Sequence, residues 1–142
     1  MTMIDLLITS LTTSVIGLYA GSLLTEGTIL VPYWRRMSPE DFFSKHGEMG
    51  PSLFKYFAPL TTAAVALSVL AAVLAGGRHI IAAGLCVSAL IIFFLYFKKA
   101  NASFADHSLA DEDLKDELKK WAAWHWARTV IIIAALVISA SS

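Results

Sequence analysis

Four long apolar stretches are the feature of this sequence that most constrains its fold. The hydrocarbon core of a bilayer offers no hydrogen-bond partners, so a segment that crosses it must satisfy its own backbone, and a helix of roughly 20 apolar residues does so. Of the 142 residues, 57% are hydrophobic and only 15% are charged. We therefore predict one all-α integral membrane domain, residues 1–142, built as a bundle of four transmembrane helices. The predicted spans cover about residues 4–30, 52–74, 80–97 and 121–140.

The segment between the first and second spans predicts a short amphipathic helix. Pro32 should end the first helix, because its ring crowds the preceding turn and disfavours helical geometry for the residue before it. Ser38 followed by Pro39 is typical of an N-cap and a first helical position, and Gly47 is expected to end the helix. We expect this loop helix to lie at the membrane interface and to fold back onto the bundle.

The segment before the fourth span predicts a long helix. Ser108, with Asp111 three residues later, has the pattern of a capping box. No residue between 109 and 138 breaks a helix, so we predict one continuous helix of about 30 residues, or about 45 Å. Such a helix would extend well beyond a hydrocarbon core of about 30 Å.

Basic residues are distributed unevenly between the two sides of the predicted bundle. The first apolar stretch has no Lys or Arg before it, which favours a retained helix over a cleaved signal peptide. Between the second and third spans the only basic residue is Arg78. Because basic loops stay in the cytoplasm, we predict that both long loops and the extension of the fourth helix are cytoplasmic, with both termini outside. The basic residues of the long loops and their edges are Arg35, Arg36, Lys45, Lys55, Lys98, Lys99, Lys115, Lys119 and Lys120.

A stripe of polar side chains begins the fourth span. On a helix, Trp121, His125 and Arg128 lie at i, i+4 and i+7 and share one face. Ionisable groups at membrane depth cost roughly 2.5 to 3.5 kcal/mol each, so they usually face the bundle interior or a wet cavity. We therefore expect any chemistry of this protein to lie on this face.

Glu26 is the acidic counterpart of this stripe within the first span. Residue counting at about 1.5 Å per residue places Glu26, His125 and Arg128 roughly 6 to 12 Å inside the cytoplasmic boundary. In one interpretation, Glu26 and Arg128 form a structural ion pair that neutralises two costly charges. In another, Glu26, His125 and Arg128 are the catalytic acid, base and anion-stabilising group. The side chains predicted to bind the ligand are Tyr19, Tyr33, Trp34, Asn101, Trp121 and Trp124.

A metal site is a third interpretation of the same residues. Glu26 and His125, with His46 from the loop helix, combine carboxylate and imidazole donors, which suit zinc, iron or copper. No compact spacing of histidines supports such a site. Haem is less favoured, because a bis-histidine site needs two rigidly held axial ligands, and one of them would have to be His46, which lies in a loop. The sequence leaves the cofactor open.

Short motifs spread over nearly the whole chain carry a resemblance to a known family. They are Gly-Leu-Tyr-Ala-Gly at 17–21, Glu26 late in the first helix, Val-Pro-Tyr-Trp at 31–34, Asn101 after the third helix, and Trp121, Trp124, His125 and Arg128 at the fourth. This pattern resembles the anthrone oxygenase-like four-helix membrane proteins, most of which are of unknown function. The resemblance implies a bundle with a polar pocket at the end shared by the two long loops. In a few members of that family the activity is oxygenation of an anthrone to an anthraquinone.

Two functional hypotheses follow from these patterns. The first is a membrane oxidoreductase or oxygenase that acts on a lipophilic aromatic or quinone-like molecule arriving from the bilayer. The second is a non-enzymatic membrane module that binds a small molecule or a metal, or assembles with a partner. A formal net charge of zero removes the basic surface that nucleic-acid binding requires. The predicted partners are the lipid bilayer and a lipophilic small molecule, and a homo-oligomer stays open.

The distribution of basic residues makes a testable prediction about orientation. A reporter that is active only outside the cytoplasm should be active when it is fused after Ser142, because the C-terminus is predicted to be outside. A reporter that matures only in the cytoplasm should be silent at the same position. The opposite result with these two fusions would overturn the predicted orientation.

Overall fold

Four long helices account for nearly all of the chain. The computed structural model describes residues 2–141, and Met1 and Ser142, the two ends of the predicted domain, lie outside the described residues. Helix α1 covers Met3–Trp34, α2 covers Pro39–Ala75, α3 covers Arg78–Ala105 and α4 covers Asp111–Ala140. Each helix is long and apolar enough to cross a membrane, and residues 2–141 contain no β-strand. The prediction of an all-α protein with four such helices is confirmed.

The four helices pack as a ring in which the main contacts of each helix are with two others. Helix α1 packs against α2 and α4, and α3 packs against the same two helices. The short α1–α2 and α2–α3 connections make consecutive helices antiparallel. In the second connection, Gly76 and Gly77 have φ angles of 62° and 52°, which favour glycine because it lacks a Cβ atom. The tight turn is therefore a direct consequence of the two glycines.

Pro32 does not end α1, so that prediction is wrong. The helix passes through a π turn at Glu26–Leu30 and continues as an α-helix over Val31–Trp34. Within this turn the Val31 N–H donates to the carbonyl oxygen of Glu26, five residues earlier. The wider turn accommodates the proline, whose ring would otherwise crowd the carbonyl four residues earlier and whose nitrogen cannot donate.

The π turn also changes which residue faces inwards at the end of α1. It adds one residue to the helical turn, which rotates the following side chains by about 100° relative to a regular α-helix. Helical periodicity places Tyr33 on the face of Glu26, but Tyr33 is 53% exposed. Trp34, one residue later, is only 3% exposed. The inner position at this end of α1 therefore belongs to Trp34.

The predicted loop helix is the first part of α2 rather than a separate element. It begins as predicted, because the Ser38 hydroxyl oxygen accepts a hydrogen bond of 3.2 Å from the Asp41 N–H. It does not end at Gly47, since α2 is continuous over Pro39–Ala75. A glycine inside a helix costs only about 1 kcal/mol, and burial of side chains such as the fully buried Phe42 offsets this cost.

Helix α4 begins three residues later than the predicted cap at Ser108. The Ser108 N–H donates to the Asp106 carboxylate at 2.9 Å, and His107 has a φ of 56°. The chain therefore turns at these residues, and the helix starts with a 3₁₀ turn at Asp111–Asp113. The predicted continuous helix is otherwise confirmed, since α4 contains 30 residues.

Two buried clusters divide the bundle along its length. The aromatic cluster consists of Val31, Trp34, Phe42, Phe43, Phe97, Ala100, Phe104, Leu114, Leu118, Trp121 and Ala122. The aliphatic cluster consists of Ile16, Tyr19, Ala20, Leu23, Ala64, Cys86, Ala89, Ile132 and Ala135. Glu26 in α1, and His125 and Arg128 in α4, come between the two clusters along their helices. The polar residues thus lie at the junction of two apolar cores.

Candidate functional site

Glu26, His125 and Arg128 meet between α1 and α4. Oε2 of Glu26 lies 3.6 Å from Nη2 of Arg128 and 3.5 Å from Nδ1 of His125. His125 is fully buried, and the other two residues are each 8% exposed. The close approach of the first and fourth helices that residue counting predicted is therefore present in the structure. We call these three residues the polar cluster.

Both ring nitrogens of His125 are engaged. Nε2 lies 2.9 Å from the carbonyl oxygen of Leu23, and Nδ1 lies 3.0 Å from Nη2 of Arg128. A carbonyl oxygen can only accept and a guanidinium can only donate, so Nε2 carries the proton and Nδ1 is the acceptor. His125 is therefore a neutral imidazole that connects the backbone of α1 to the side chain of Arg128.

Arg128 is also held by an aromatic ring from a third helix. Its guanidinium carbon lies 4.2 Å from the centre of the Phe97 ring of α3. A desolvated cation–π contact of this kind contributes about 2 kcal/mol. The position of the guanidinium is thus determined by Glu26 of α1, Phe97 of α3 and His125 of α4.

The polar cluster has hydrogen-bonding capacity that the protein does not use. A separation of 3.6 Å between Glu26 and Arg128 is too long for a hydrogen bond. Oε2 of Glu26 and Nε of Arg128 are buried, and neither has a hydrogen-bond partner among residues 2–141. A buried polar atom without a partner costs about 1 to 3 kcal/mol. Hydrogen bonds to water or to a ligand would remove this cost.

Trp121 fixes the orientation of His125. The two rings are stacked, with centres 5.2 Å apart and planes inclined by 7°. The indole Nε1 of Trp121 donates a hydrogen bond of 3.0 Å to the side-chain oxygen of Asn101. Trp34 lies edge-on to Trp121 at 5.7 Å. Three predicted ligand-binding residues, Trp34, Asn101 and Trp121, are therefore connected to the polar cluster.

The remaining predicted ligand-binding residues lie elsewhere. Tyr33 is exposed and lines a separate surface depression with Lys45. Trp124 is 38% exposed and stacks on Tyr96 of α3 at 5.5 Å. Tyr19 is a buried member of the aliphatic cluster. Tyr33 and Trp124 point away because α1 changes register at its π turn and because Trp124 is one residue from the buried face of α4.

The predicted metal ligands are not assembled into one site. His46 packs against the rings of Trp34, Phe42 and Phe104, within the aromatic cluster. His125 offers no free ring nitrogen. Over residues 2–141, no group of three or more His, Cys, Asp or Glu side chains is placed to hold a metal ion. The arrangement of Glu26, His46 and His125 therefore fits neither the predicted metal site nor a bis-histidine haem.

A groove of about 660 Å³ lies between α1 and α2 and reaches Glu26. This volume is within the usual range of small-molecule pockets. On its α1 side, the groove is lined by Gly21, Ser22 and Glu26, and on its α2 side by Leu53, Tyr56 and Phe57. The hydroxyl oxygens of Ser22 and Tyr56 lie 2.7 Å apart, so a hydrogen bond connects the two helices across it. We call this feature the α1–α2 groove.

Sequence reasoning missed two residues of this region. Phe97 follows the pattern of an interfacial anchor, because Lys98 and Lys99 come directly after it, yet its ring covers Arg128. Tyr56 lies in an apolar stretch and has no sequence signal that relates it to Glu26. Only the packing of α1 against α2 brings Tyr56 to the groove.

Gly27 allows α1 to approach α4 closely. A Cβ atom at this position would lie 3.0 Å from Nε2 of His125 and 3.1 Å from the Trp126 ring. The His125 ring is fully buried and is hydrogen-bonded at both nitrogens, so it cannot move away freely, whereas the Trp126 ring is 38% exposed. Gly21 is different, because a Cβ atom there would meet no atom of the described chain within 4 Å.

Comparison with known proteins identifies one family. The model of a family described as anthrone oxygenase matches residues 49–138. The matched region includes Asn101, Trp121, His125 and Arg128, whereas Glu26 lies before it. A comparison with curated proteins and a comparison with solved structures found no significant match.

The two glycines of α1 provide a matched test of the α1–α4 contact. Gly27→Ala should lower the free energy of unfolding by roughly 1 to 3 kcal/mol, because the new methyl group overlaps His125 and Trp126. Gly21→Ala should be neutral or slightly stabilising, because alanine favours the helix and meets open space. Thermal unfolding of the two purified variants in the same detergent gives the comparison. Equal stability of both variants would contradict the close approach at Gly27.

The ion pair can be tested by removing one charge and then both. Arg128→Leu should destabilise the protein by roughly 3 to 5 kcal/mol, because it leaves the Glu26 carboxylate buried and unpaired. The double variant Arg128→Leu with Glu26→Leu should recover most of this loss, because no uncompensated charge remains. Unfolding in detergent measures both. A double variant that unfolds as easily as Arg128→Leu would show that the two residues are not energetic partners.

Proposed function

Because the chain belongs to the anthrone oxygenase family, we propose that it is a membrane oxidoreductase of the oxygenase type. Its substrate would be a lipophilic aromatic or quinone-like molecule that arrives from the bilayer. Four helices that are long and apolar enough to cross a membrane support this route of entry. The observation that carries the proposal is the environment of Oε2 of Glu26. This buried carboxylate oxygen lies beside the Arg128 guanidinium and has no hydrogen-bond partner within the described chain.

In the proposed reaction Glu26 acts as the base. Its carboxylate accepts a proton from a methylene group that lies between aromatic rings, which leaves a delocalised carbanion. Dioxygen accepts the electron pair, a C–O bond forms, and Glu26 returns the proton to give a hydroperoxide. Loss of the second C–H proton and cleavage of the O–O bond then yield a ketone and water. One methylene and one dioxygen are thus converted into one carbonyl and one water.

The other members of the polar cluster have distinct proposed roles. Arg128 stabilises the negative charge of the carbanion and of the peroxide, since its guanidinium is preorganised beside Glu26. His125 is a positioning residue, because its Nδ1 accepts from Arg128 while its Nε2 is bound to α1. Asn101 supports this arrangement by orienting Trp121 against the imidazole. Trp34 and Trp121 provide aromatic surface near the site.

Replacement of the proposed base gives the direct test. Glu26→Gln should reduce the rate of conversion of an anthrone to its anthraquinone by roughly 10² to 10⁴-fold, because an amide cannot accept the proton. The formation of the quinone absorption band by purified protein in aerated detergent solution measures the rate. Glu48→Gln is the matched control, since Glu48 is an exposed carboxylate that pairs with Lys45. Unchanged turnover by Glu26→Gln would remove the acid–base role of Glu26.

A second candidate function is a membrane module that binds a lipophilic molecule without transforming it. The engaged nitrogens of His125 favour this alternative, because the imidazole is committed to structure rather than to proton transfer. The same experiment separates the two functions. A module of this kind would bind the anthrone without raising its oxidation above the rate in protein-free detergent.

Orientation completes the proposal. With both long loops in the cytoplasm, as the basic residues favour, the polar cluster would lie nearer the cytoplasmic side of the bilayer. A lipophilic substrate would then reach it laterally, through the hydrocarbon core, rather than from water. Both termini would lie on the opposite side.

A further inference from the structure

The hydrogen-bond donors along the α1–α2 groove are already used. Ser22 donates its hydroxyl proton to the Leu18 carbonyl at 2.8 Å, and Thr25 donates to the Gly21 carbonyl at 2.9 Å. Because the only proton of the Ser22 hydroxyl is used, Tyr56 is the donor in the 2.7 Å contact between them. The oxygen atoms of these three side chains therefore present only lone pairs to the groove.

Glu26 adds a fourth acceptor at the inner end. Its side chain lines the groove and is 9% exposed, whereas Oε2 itself is buried and lies against His125 and Arg128 of α4. Ser22 precedes Glu26 by one helical turn, about 6 Å along α1. The groove thus has apolar wall residues, including Leu53 and Phe57, and acceptors on both sides. Ser22, Thr25 and Glu26 lie on α1, and Tyr56 lies on α2.

The groove opens towards the surface that faces lipid. Leu18 and Ile29, which also line it, are 62% and 66% exposed. Gly21 widens it, since the position holds no side chain and a Cβ atom would meet no atom of the described residues within 4 Å. An acyl chain from the bilayer fits an apolar groove, but it has no hydrogen-bond donor for the Glu26 carboxylate or for the Ser22–Tyr56 pair. A quinone without hydroxyl groups would bring only lone pairs against these lone pairs, whereas a phenolic hydroxyl brings a donor.

We propose that the α1–α2 groove is the binding site of a flat lipophilic phenol, whose hydroxyl groups donate to Glu26 and to the Ser22–Tyr56 pair. The groove would then select the phenolic form of an aromatic molecule over its ethers and over the corresponding quinone. Gly21, Ser22 and Tyr56 are the residues that determine this selectivity. The inference rests on the proposed function in one respect, because it takes the bound phenol to be the substrate. Binding of the phenol does not itself require turnover.

Three probes of the same ring size test the selectivity for donors. They are dihydroxynaphthalene, its dimethyl ether and naphthoquinone, titrated into the full-length protein in nanodiscs, with protein-free nanodiscs to subtract partitioning. The dihydroxy compound should bind at least about tenfold more tightly than the dimethyl ether or the quinone. Neither of these two compounds has a hydroxyl group that can donate to the charged or polar acceptors of the groove. Tyr56→Phe should reduce this preference several-fold and leave the affinity for the dimethyl ether unchanged.

Two glycine substitutions test the location. Gly21→Leu should weaken binding of the dihydroxy compound by more than tenfold, because the new side chain fills the groove. Gly84→Leu on α3 is the matched control, since a Cβ atom there also meets no atom of the described chain within 4 Å and Gly84 does not line the groove. Gly84→Leu should bind like the unmodified protein. Tyr56→Phe provides an independent test if Gly21→Leu does not fold.

Three outcomes would overturn the inference. Equal binding by Gly21→Leu and the unmodified protein would exclude the groove as the site. Equal affinity for all three probes would show an apolar groove that lipid chains occupy. An unchanged preference in Tyr56→Phe would exclude the Ser22–Tyr56 pair as an acceptor.

The proposed function fails on a different measurement. If Glu26→Gln turns over an anthrone normally while Gly21→Leu loses phenol binding, the reaction proposal is wrong and the groove remains. If Gly21→Leu binds the phenol normally while Glu26→Gln loses turnover, the groove is wrong and the reaction proposal remains. The two proposals are therefore separable in one set of variants.

Discussion

A carboxylate and a guanidinium lie against each other inside a bundle with an apolar surface, and the surrounding residues hold them there. Each charge at membrane depth would cost roughly 2.5 to 3.5 kcal/mol without compensation. Arg128 is compensated from three directions, by Glu26, by Nδ1 of His125 and by the Phe97 ring. Because those residues come from α1, α4 and α3, one buried cation connects three of the four helices.

Irregular helix geometry is concentrated around this cation. The π turn at Glu26–Leu30 begins with the acidic partner of Arg128, and a second π turn at Phe93–Phe97 ends with the ring that covers it. Turns of this kind often occur at functional sites, because they rotate a side chain away from the position that a regular helix gives it. In α1 the same turn also accommodates Pro32 and moves Trp34 to the interior.

The position of the polar cluster suits chemistry on an apolar molecule. On one side is the aromatic cluster, which excludes water and so strengthens electrostatic interactions at the site. On another is the α1–α2 groove, which reaches Glu26 and has exposed apolar residues, Leu18 and Ile29, along its lining. A lipophilic molecule could therefore meet a preorganised charge without first crossing an aqueous phase. This combination connects the proposed oxygenase-type reaction with the proposed selectivity for phenols.

The sequence by itself determined that the chain forms four long apolar helices, that Ser38 begins α2, and that Trp121, His125 and Arg128 share one face of α4. These features follow from hydrophobic length, local capping and the 3.6-residue period, which depend only on residues close in sequence. Tertiary structure alone decided which atoms meet. Contacts between helices set the tautomer of His125, bring the Phe97 ring over Arg128 and place Tyr56 in the groove. The π turn in α1 turns Trp34, instead of Tyr33, towards the interior. Local periodicity contains no information about these contacts or about the π turn.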